Sequence, residues 1–317
     1  MSAQQSRSGS FEPAFAGDRR RSLPARAQPG SPKSAAGPVG RALWYIEKHL
    51  AADLSLNEVA DCAGVSCLHL LRAFNAVAGY PMRQYVRARR LTEAACRLAA
   101  DSDDILSVAM DSGYGSQTAF TRAFLQQFGM TPEAIRDQGL PVRRLVGPLK
   151  VNNSAAQIGA PRFEEGGRRL VAGLAERYGD QDGSTVIAGQ WRRFAAYFGG
   201  IAGQVGNVAY GTNYYTGDDG NLEYLCGVEV ADFSSVPRNF GLLCIPAQHW
   251  AVFFHREHVS TIHRTWAAIW NQWLPDSGHE AVDAPFFERY GESFDPGTGL
   301  GGAELWVPVT QRSPAAM

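Results

Sequence analysis

The sequence predicts a multi-domain chain: an all-α unit made of two tandem helix-turn-helix elements, then an α+β unit with an internal duplication. Three observations predict it. Residues 39–140 repeat apolar side chains at three- and four-residue spacing, punctuated by Gly64, Gly79, Gly113 and Gly129. Beyond residue 168, strand-like and helical runs alternate in an order that occurs twice. A chain of 317 residues is also longer than one ordinary core supports and suits two.

The first 38 residues are rich in Ser, Pro, Gly, Ala and Arg and lack an aliphatic pattern, so a disordered arm is expected there. Its Arg19, Arg20 and Arg21 form a short cationic run, which is read as a solvated tail. The chain carries a formal net charge of -1, and its five cysteines are dispersed without a CxxC pair. That usage fits reduced thiols. No stretch is apolar enough to span a membrane, and the start has no signal-peptide pattern. A cytoplasmic protein with no membrane partner is the expectation.

Within 39–140, Leu43, Ile46 and Leu50 mark a first helical stripe. From Leu56 a short helix carries Val59 and Ala60, with Ser55 as its expected cap. Gly64, Val65 and Ser66 make a tight turn, and Ser66 can cap the next helix. On that helix Leu70 and Phe74 face inward, which leaves Leu68, His69, Leu71 and Arg72 to face out. A helix so held fits the major groove, where Arg pairs with guanine.

About fifty residues on, the arrangement recurs. Ile105, Val108 and Ala109 mark a helix, Ser112, Gly113 and Tyr114 a turn, and Ser116 a cap. Phe120 and Phe124 face the core, leaving Gln117, Thr118, Thr121 and Arg122 outside. The stretch 81–99 reads as a long helix joining the two units, with Arg83, Arg87, Arg89, Arg90 and Arg97 along it. Residues 39–140 carry ten cationic and eleven acidic side chains, so a DNA-facing surface depends on a local cluster. The arginines of this spacer are read as that cluster, with Arg89 and Arg90 on DNA. Two readers on one rigid spacer would meet successive major grooves, roughly 34 Å apart.

These residues resemble the AraC/XylS family. The first half of its pattern is present as Ala60, Gly64, Val65, Ser66, Leu70, Phe74, Gly79, Tyr80, Pro81, Tyr85, Arg89, Arg90, Leu91, Ala95 and Leu98. It continues through Ile105, Val108, Ala109, Ser112, Gly113, Tyr114, Ser116, Phe120, Thr121, Arg122, Ala123, Phe124, Phe128, Gly129, Thr131, Pro132 and Arg136. The resemblance implies a seven-helix domain that binds double-stranded promoter DNA. The chain departs from the pattern at Leu125, where the family usually has lysine, and at Leu71, where polar base-reading residues are common.

Residues 141–165 read as a linker, and 166–311 as the second domain. Strand-like runs fall at 169–178, 207–215, 222–230, 240–254, 280–290 and 304–309, and helical runs near 187–199 and 260–274. Along a strand through 286–290, Phe286, Glu288 and Tyr290 share one face. A carboxylate among aromatics is costly to bury alone. A ligand cation offsets that cost, and each ring adds cation–π attraction of roughly 0.5–2 kcal/mol. Glu223, Trp250, Trp270 and Tyr214 are further candidates for the same ligand. Trp266, Trp270 and Trp273 form a helical stripe, read mainly as core. His255, His258 and His263 lack a convincing acidic or Cys partner, so no metal and no cofactor are expected.

The segments RLVAGL at 169–174, LEYLCGVEV at 222–230, FFERY at 286–290 and ELWVPV at 304–309 resemble the GyrI-like effector-binding family. That resemblance implies a small hydrophobic or cationic effector held between two repeats, with Glu288 at the acidic position. Together the two resemblances imply a transcription regulator, an activator or a repressor, that is not an enzyme and has RNA polymerase as a further partner. The alternatives are a GyrI-like hydrolase using Glu288 as base, or a protein-docking domain fused to a DNA-binding module.

Overall fold

The computed structural model describes residues 37–100, 103–140, 144–151, 158–177, 183–216 and 221–312. The expected arm, including Arg19, Arg20 and Arg21, lies outside them except for its last two residues, which open the first helix. Seven helices follow: α1 (Gly37–Lys48), α2 (Leu56–Ala63), α3 (Cys67–Ala78), α4 (Met82–Ala100), α5 (Ile105–Asp111), α6 (Gln117–Phe128) and α7 (Pro132–Gln138).

The two helix-turn-helix units are built alike. Gly64 ends α2 in the left-handed region at φ 70°, which any side chain would strain, and Gly113 turns the chain after α5 at φ 83°. Ser66 then caps α3 by accepting from the His69 N–H at 3.3 Å. Ser116 caps α6 by accepting from the Ala119 N–H at 3.2 Å. Ser55 occupies the N-cap of α2 but makes no side-chain bond there.

The arginines of α4 turn inward more than expected. Arg89 is 4% exposed and bonds Glu47, Glu93 and the Val146 carbonyl. Arg90 donates to the carbonyls of Leu50 and Ala52, just past the end of α1. Arg97 pairs with Asp103 and Asp111, and Arg87 reaches Gln126 on α6. A helix lodged between two subdomains has few free faces, so its cations serve as staples.

The second domain is one antiparallel sheet with helices on one face. Its strands are β1 (Arg162–Gly166), β2 (Arg169–Arg177), β3 (Gln204–Thr216), β4 (Asn221–Val230), β5 (Gly241–Ile245), β6 (Gln248–His255), β7 (His279–Ala281), β8 (Phe286–Tyr290) and β9 (Ala303–Gln311). Two expected strands each break in two. Pro246 separates β5 from β6, and Pro285 stands just before β8, because proline cannot donate to a ladder. β1, in the stretch read as linker, pairs with β6.

The duplication is visible in the strand order, β1-β6-β9-β8-β3-β4-β2-β5, with β7 paired to β9. One half contributes β2, α8 (Gly183–Phe194), β3 and β4. The other contributes β6, α9 (Ile262–Ala268), β8 and β9. The halves join where β3 pairs with β8. The edge strands are exchanged: β1 precedes β2 in the chain but adds to β6, while β5 precedes β6 but adds to β2. After α9 the helix widens into a π-helical turn at Ile269–Trp273 and ends in α10 (Leu274–Asp276).

One hydrophobic core runs through both domains. Val39, Ile46, Leu70 and Phe74 of the first helix-turn-helix pack in a single cluster with Trp266, Trp270, Phe286 and Leu305. The second helix-turn-helix has a core of its own around Phe120, Phe124 and Phe128.

Candidate functional site

The structure treats the two reading helices differently. On α6, Gln117, Thr118 and Arg122 are exposed and Thr121 is half-buried, all on the side away from Phe120 and Phe124. This is the face the sequence predicts. On α3, Leu68 and Leu71 are half-buried, whereas His69 and Arg72 are 4% and 2% exposed. What covers α3 is the second domain. His69 Nε2 lies 2.5 Å from the Trp270 carbonyl oxygen. Burial lowers the His69 pKa, and the bond to the Trp270 carbonyl only partly offsets that. Arg72 donates to the Val282 carbonyl at 3.0 Å and to the Ala284 carbonyl at 2.7 Å. Its guanidinium also stands over the rings of Trp270 and Phe286, at 5.3 and 5.0 Å from their centroids. Arg89 and Arg90, placed on DNA by the sequence, are committed to the internal bonds described above.

The acidic site lies on the helix-covered face of the sheet. Strand alternation puts Phe286, Glu288 and Tyr290 together on that face, as expected. Glu288 is 5% exposed, and its carboxylate accepts three bonds from aromatic side chains. The Trp266 indole N–H donates to Oε1 at 2.8 Å. The hydroxyls of Tyr290 and Tyr224 donate to Oε2 at 2.8 and 3.0 Å. Trp191 of α8 donates to the Tyr224 hydroxyl at 2.9 Å, so each repeat supplies one indole to the cage.

Gly211, directly opposite Glu288 on β3, makes this arrangement fit. A Cβ there would stand 2.2 Å from the Tyr224 hydroxyl and 2.7 Å from Glu288 Oε2. Burial raises the Glu288 pKa, and the three donors only partly offset that. No cation pairs with Glu288 among the described residues. A buried carboxylate lined by rings and lacking a counter-ion suits an apolar cation.

Three expected ligand residues stand elsewhere. Register places Tyr214 and Glu223 opposite each other on β3 and β4, on the face away from the helices. Glu223 bonds Arg177 there at 2.5 Å. Trp250 lies on that same far face, packed edge-on to Phe287 and Trp306. In the duplication β8 corresponds to β3, whereas Glu223 lies on β4. Trp270 contributes to the wall behind the cage, stacked on Trp266 with centroids 6.1 Å apart. The sequence reading missed Tyr224 and Trp191. Tyr224 sits beside Glu223 at the opposite parity, and the pleat alone distinguishes them.

Among the described residues no cluster of His, Cys, Asp and Glu is arranged to hold a metal. His255 instead bonds Thr265 and the His258 carbonyl. No helix of the described residues is long and apolar enough to cross a membrane.

Comparisons with known proteins agree with this division. Residues 59–138 match a helix-turn-helix domain family. Residues 160–310 match the GyrI-like small molecule binding domain. The chain is 43% identical to the right origin-binding protein of Escherichia coli K12 over 101 residues, which are 32% of this chain and 35% of that protein. It is 35% identical to the multiple antibiotic resistance protein MarA of the same organism over 113 residues, 35% of this chain and 89% of MarA. The match thus spans about a third of the right origin-binding protein and nearly all of MarA. A solved structure described as bound to tetraphenylphosphonium aligns with 47% of this chain and 93% of its own, at 18% identity and a TM-score of 0.41. From its seven-helix first half and its duplicated second half, this chain belongs to the AraC-type helix-turn-helix family and carries a GyrI-like domain behind the helix-turn-helix units.

Proposed function

We propose that the protein is a sequence-specific DNA-binding transcription regulator that senses a small hydrophobic cation through Glu288. The observation that carries this reading is the buried carboxylate, held among the described residues by aromatic donors, in a domain fused to tandem helix-turn-helix units. The α6 face of Gln117, Thr118, Thr121 and Arg122 supplies base and phosphate contacts. Leu68, His69, Leu71 and Arg72 of α3 supply the second set. RNA polymerase is the further partner, and transcription reconstituted with purified polymerase tests that point.

The DNA reading is tested with duplexes selected from random sequence on the full-length protein. Binding should weaken steeply with salt, and Arg122→Ala should cost about 1–3 kcal/mol. Failure to enrich any salt-sensitive duplex overturns it. The sensing reading is tested with benzyltributylammonium, an aromatic quaternary cation. It should quench tryptophan fluorescence in the wild type and not in Glu288→Gln. Equal binding by both proteins rejects Glu288 as the anchor.

A further inference from the structure

The covered face of α3 carries a consequence for regulation. Arg72 makes two bonds to second-domain carbonyls and stands over two second-domain rings. A guanidinium spent in this way is unavailable to a base or a phosphate. His69, in the first turn of α3, is fixed to the Trp270 carbonyl. Neighbouring contacts reinforce the clamp: the Val39 N–H donates to Asn271 Oδ1 at 2.9 Å, and Gly37, at φ 72°, leaves room for Asn271 against α1. The second domain and a DNA duplex therefore compete for one surface.

The same rings reach the acidic cage. Trp266, which donates to Glu288, is stacked on Trp270 at an interplanar angle of 12° and meets Phe286 edge-on at 5.1 Å. Trp270 and Phe286 are the two rings that hold Arg72. From the Glu288 carboxylate to the Arg72 guanidinium the path is thus one hydrogen bond, one ring contact and one cation–π contact. It runs through a π-helical turn, a geometry that recurs at functional positions. The Trp270 indole N–H is itself buried there with no acceptor among the described residues, a cost that separation of the domains removes.

We propose that the second domain is a latch on the first reading helix, and that an apolar cation at Glu288 opens it. Glu288 is enclosed, so an entering cation takes the place of the Trp266 donor. Trp266 moves, the Trp270–Phe286 platform loses its packing, and α3 is released to DNA. The latch rests on the reading above that the chain binds DNA and senses a cation. Linkage makes the effect reciprocal: DNA and cation raise each other's affinity by the same factor.

The test uses the full-length protein, a selected duplex and benzyltributylammonium. Trp270→Leu removes the ring under Arg72 and leaves Arg72 and Glu288 in place. It should bind duplex about tenfold more tightly than wild type without cation, within the range typical of coupled sites. Saturating cation should tighten wild-type binding by a similar factor and leave Trp270→Leu nearly unchanged. Hydrogen exchange in the wild type gives a second measurement, free of any folding defect in the variant. Amides of 68–75 should exchange faster when cation is added. If the wild type binds both duplex and cation, but neither changes the other's affinity and exchange in α3 is constant, the latch is overturned while the regulator reading stands. If no protein binds duplex at all, both fall together.

Discussion

The Trp266 indole N–H lies 2.8 Å from Glu288 Oε1, and the Trp266 ring is stacked on the ring beneath Arg72. One side chain therefore serves both the carboxylate cage and the contact between domains. Trp266→Phe keeps the ring and deletes the donor. Removing a hydrogen bond to a charged group should cost about 1.5–3 kcal/mol, read from urea unfolding of the full chain.

The buried carboxylate also sets a pH dependence. The folded-state pKa of Glu288 lies above its ordinary value of 4.5 because burial disfavours the ion. A group raised in this way contributes stability that is complete below the ordinary value and is lost as pH rises through the folded one. Glu288→Gln, which cannot ionise, should therefore gain on the wild type as pH is raised from about 4.5. Parallel unfolding curves across that interval check it, and a constant difference between the two proteins would contradict it.

Gly211 admits no side chain at the floor of the cage. In Gly211→Ala the added methyl collides with the Tyr224 hydroxyl and Glu288 Oε2, both held by other bonds. Overpacking of this kind costs about 1–3 kcal/mol. Thermal unfolding should show that loss, and fluorescence titration with benzyltributylammonium should show weaker binding.

Two arginines that look alike in the sequence should behave oppositely. Arg89 and Glu47 form a pair with side chains 5% and 12% exposed. Glu47→Gln leaves the buried Arg89 to the more exposed Glu93 and should destabilise, by at most about 3–5 kcal/mol. Arg122→Ala, on an open face, should change stability by less than about 0.5 kcal/mol while weakening DNA binding. Calorimetry alongside a duplex-binding assay separates the two effects.

Much of this was legible in the sequence because it rests on local chemistry. Glycines at 64 and 113, capping serines at 66 and 116 and inward Leu70, Phe74, Phe120 and Phe124 each specify the helix-turn-helix geometry within a few residues. Glu288 was legible because strand alternation places Phe286 and Tyr290 beside it. The partners of Arg72 and Arg89 were not. Arg72 bonds residues more than two hundred positions away, and Arg89 reaches one fifty-seven positions on. Outward-facing on an isolated helix and buried beneath a second domain are the same pattern in a periodicity reading. Tyr214, Glu223 and Trp250 lie away from the Glu288 cage for a related reason: composition identifies an aromatic or acidic strand, and only the register shows which side each residue takes.

The swap of β1 and β5 between the sheet's two halves makes the pair inseparable. Cut between β4 and β5, neither fragment would retain the strand that closes its outer rim, and each would also bare the seam where β3 meets β8. Such open rims invite pairing with other chains. The duplicated module must accordingly mature whole, with residues near 162 waiting for those near 250 to be made before the first rim is sealed.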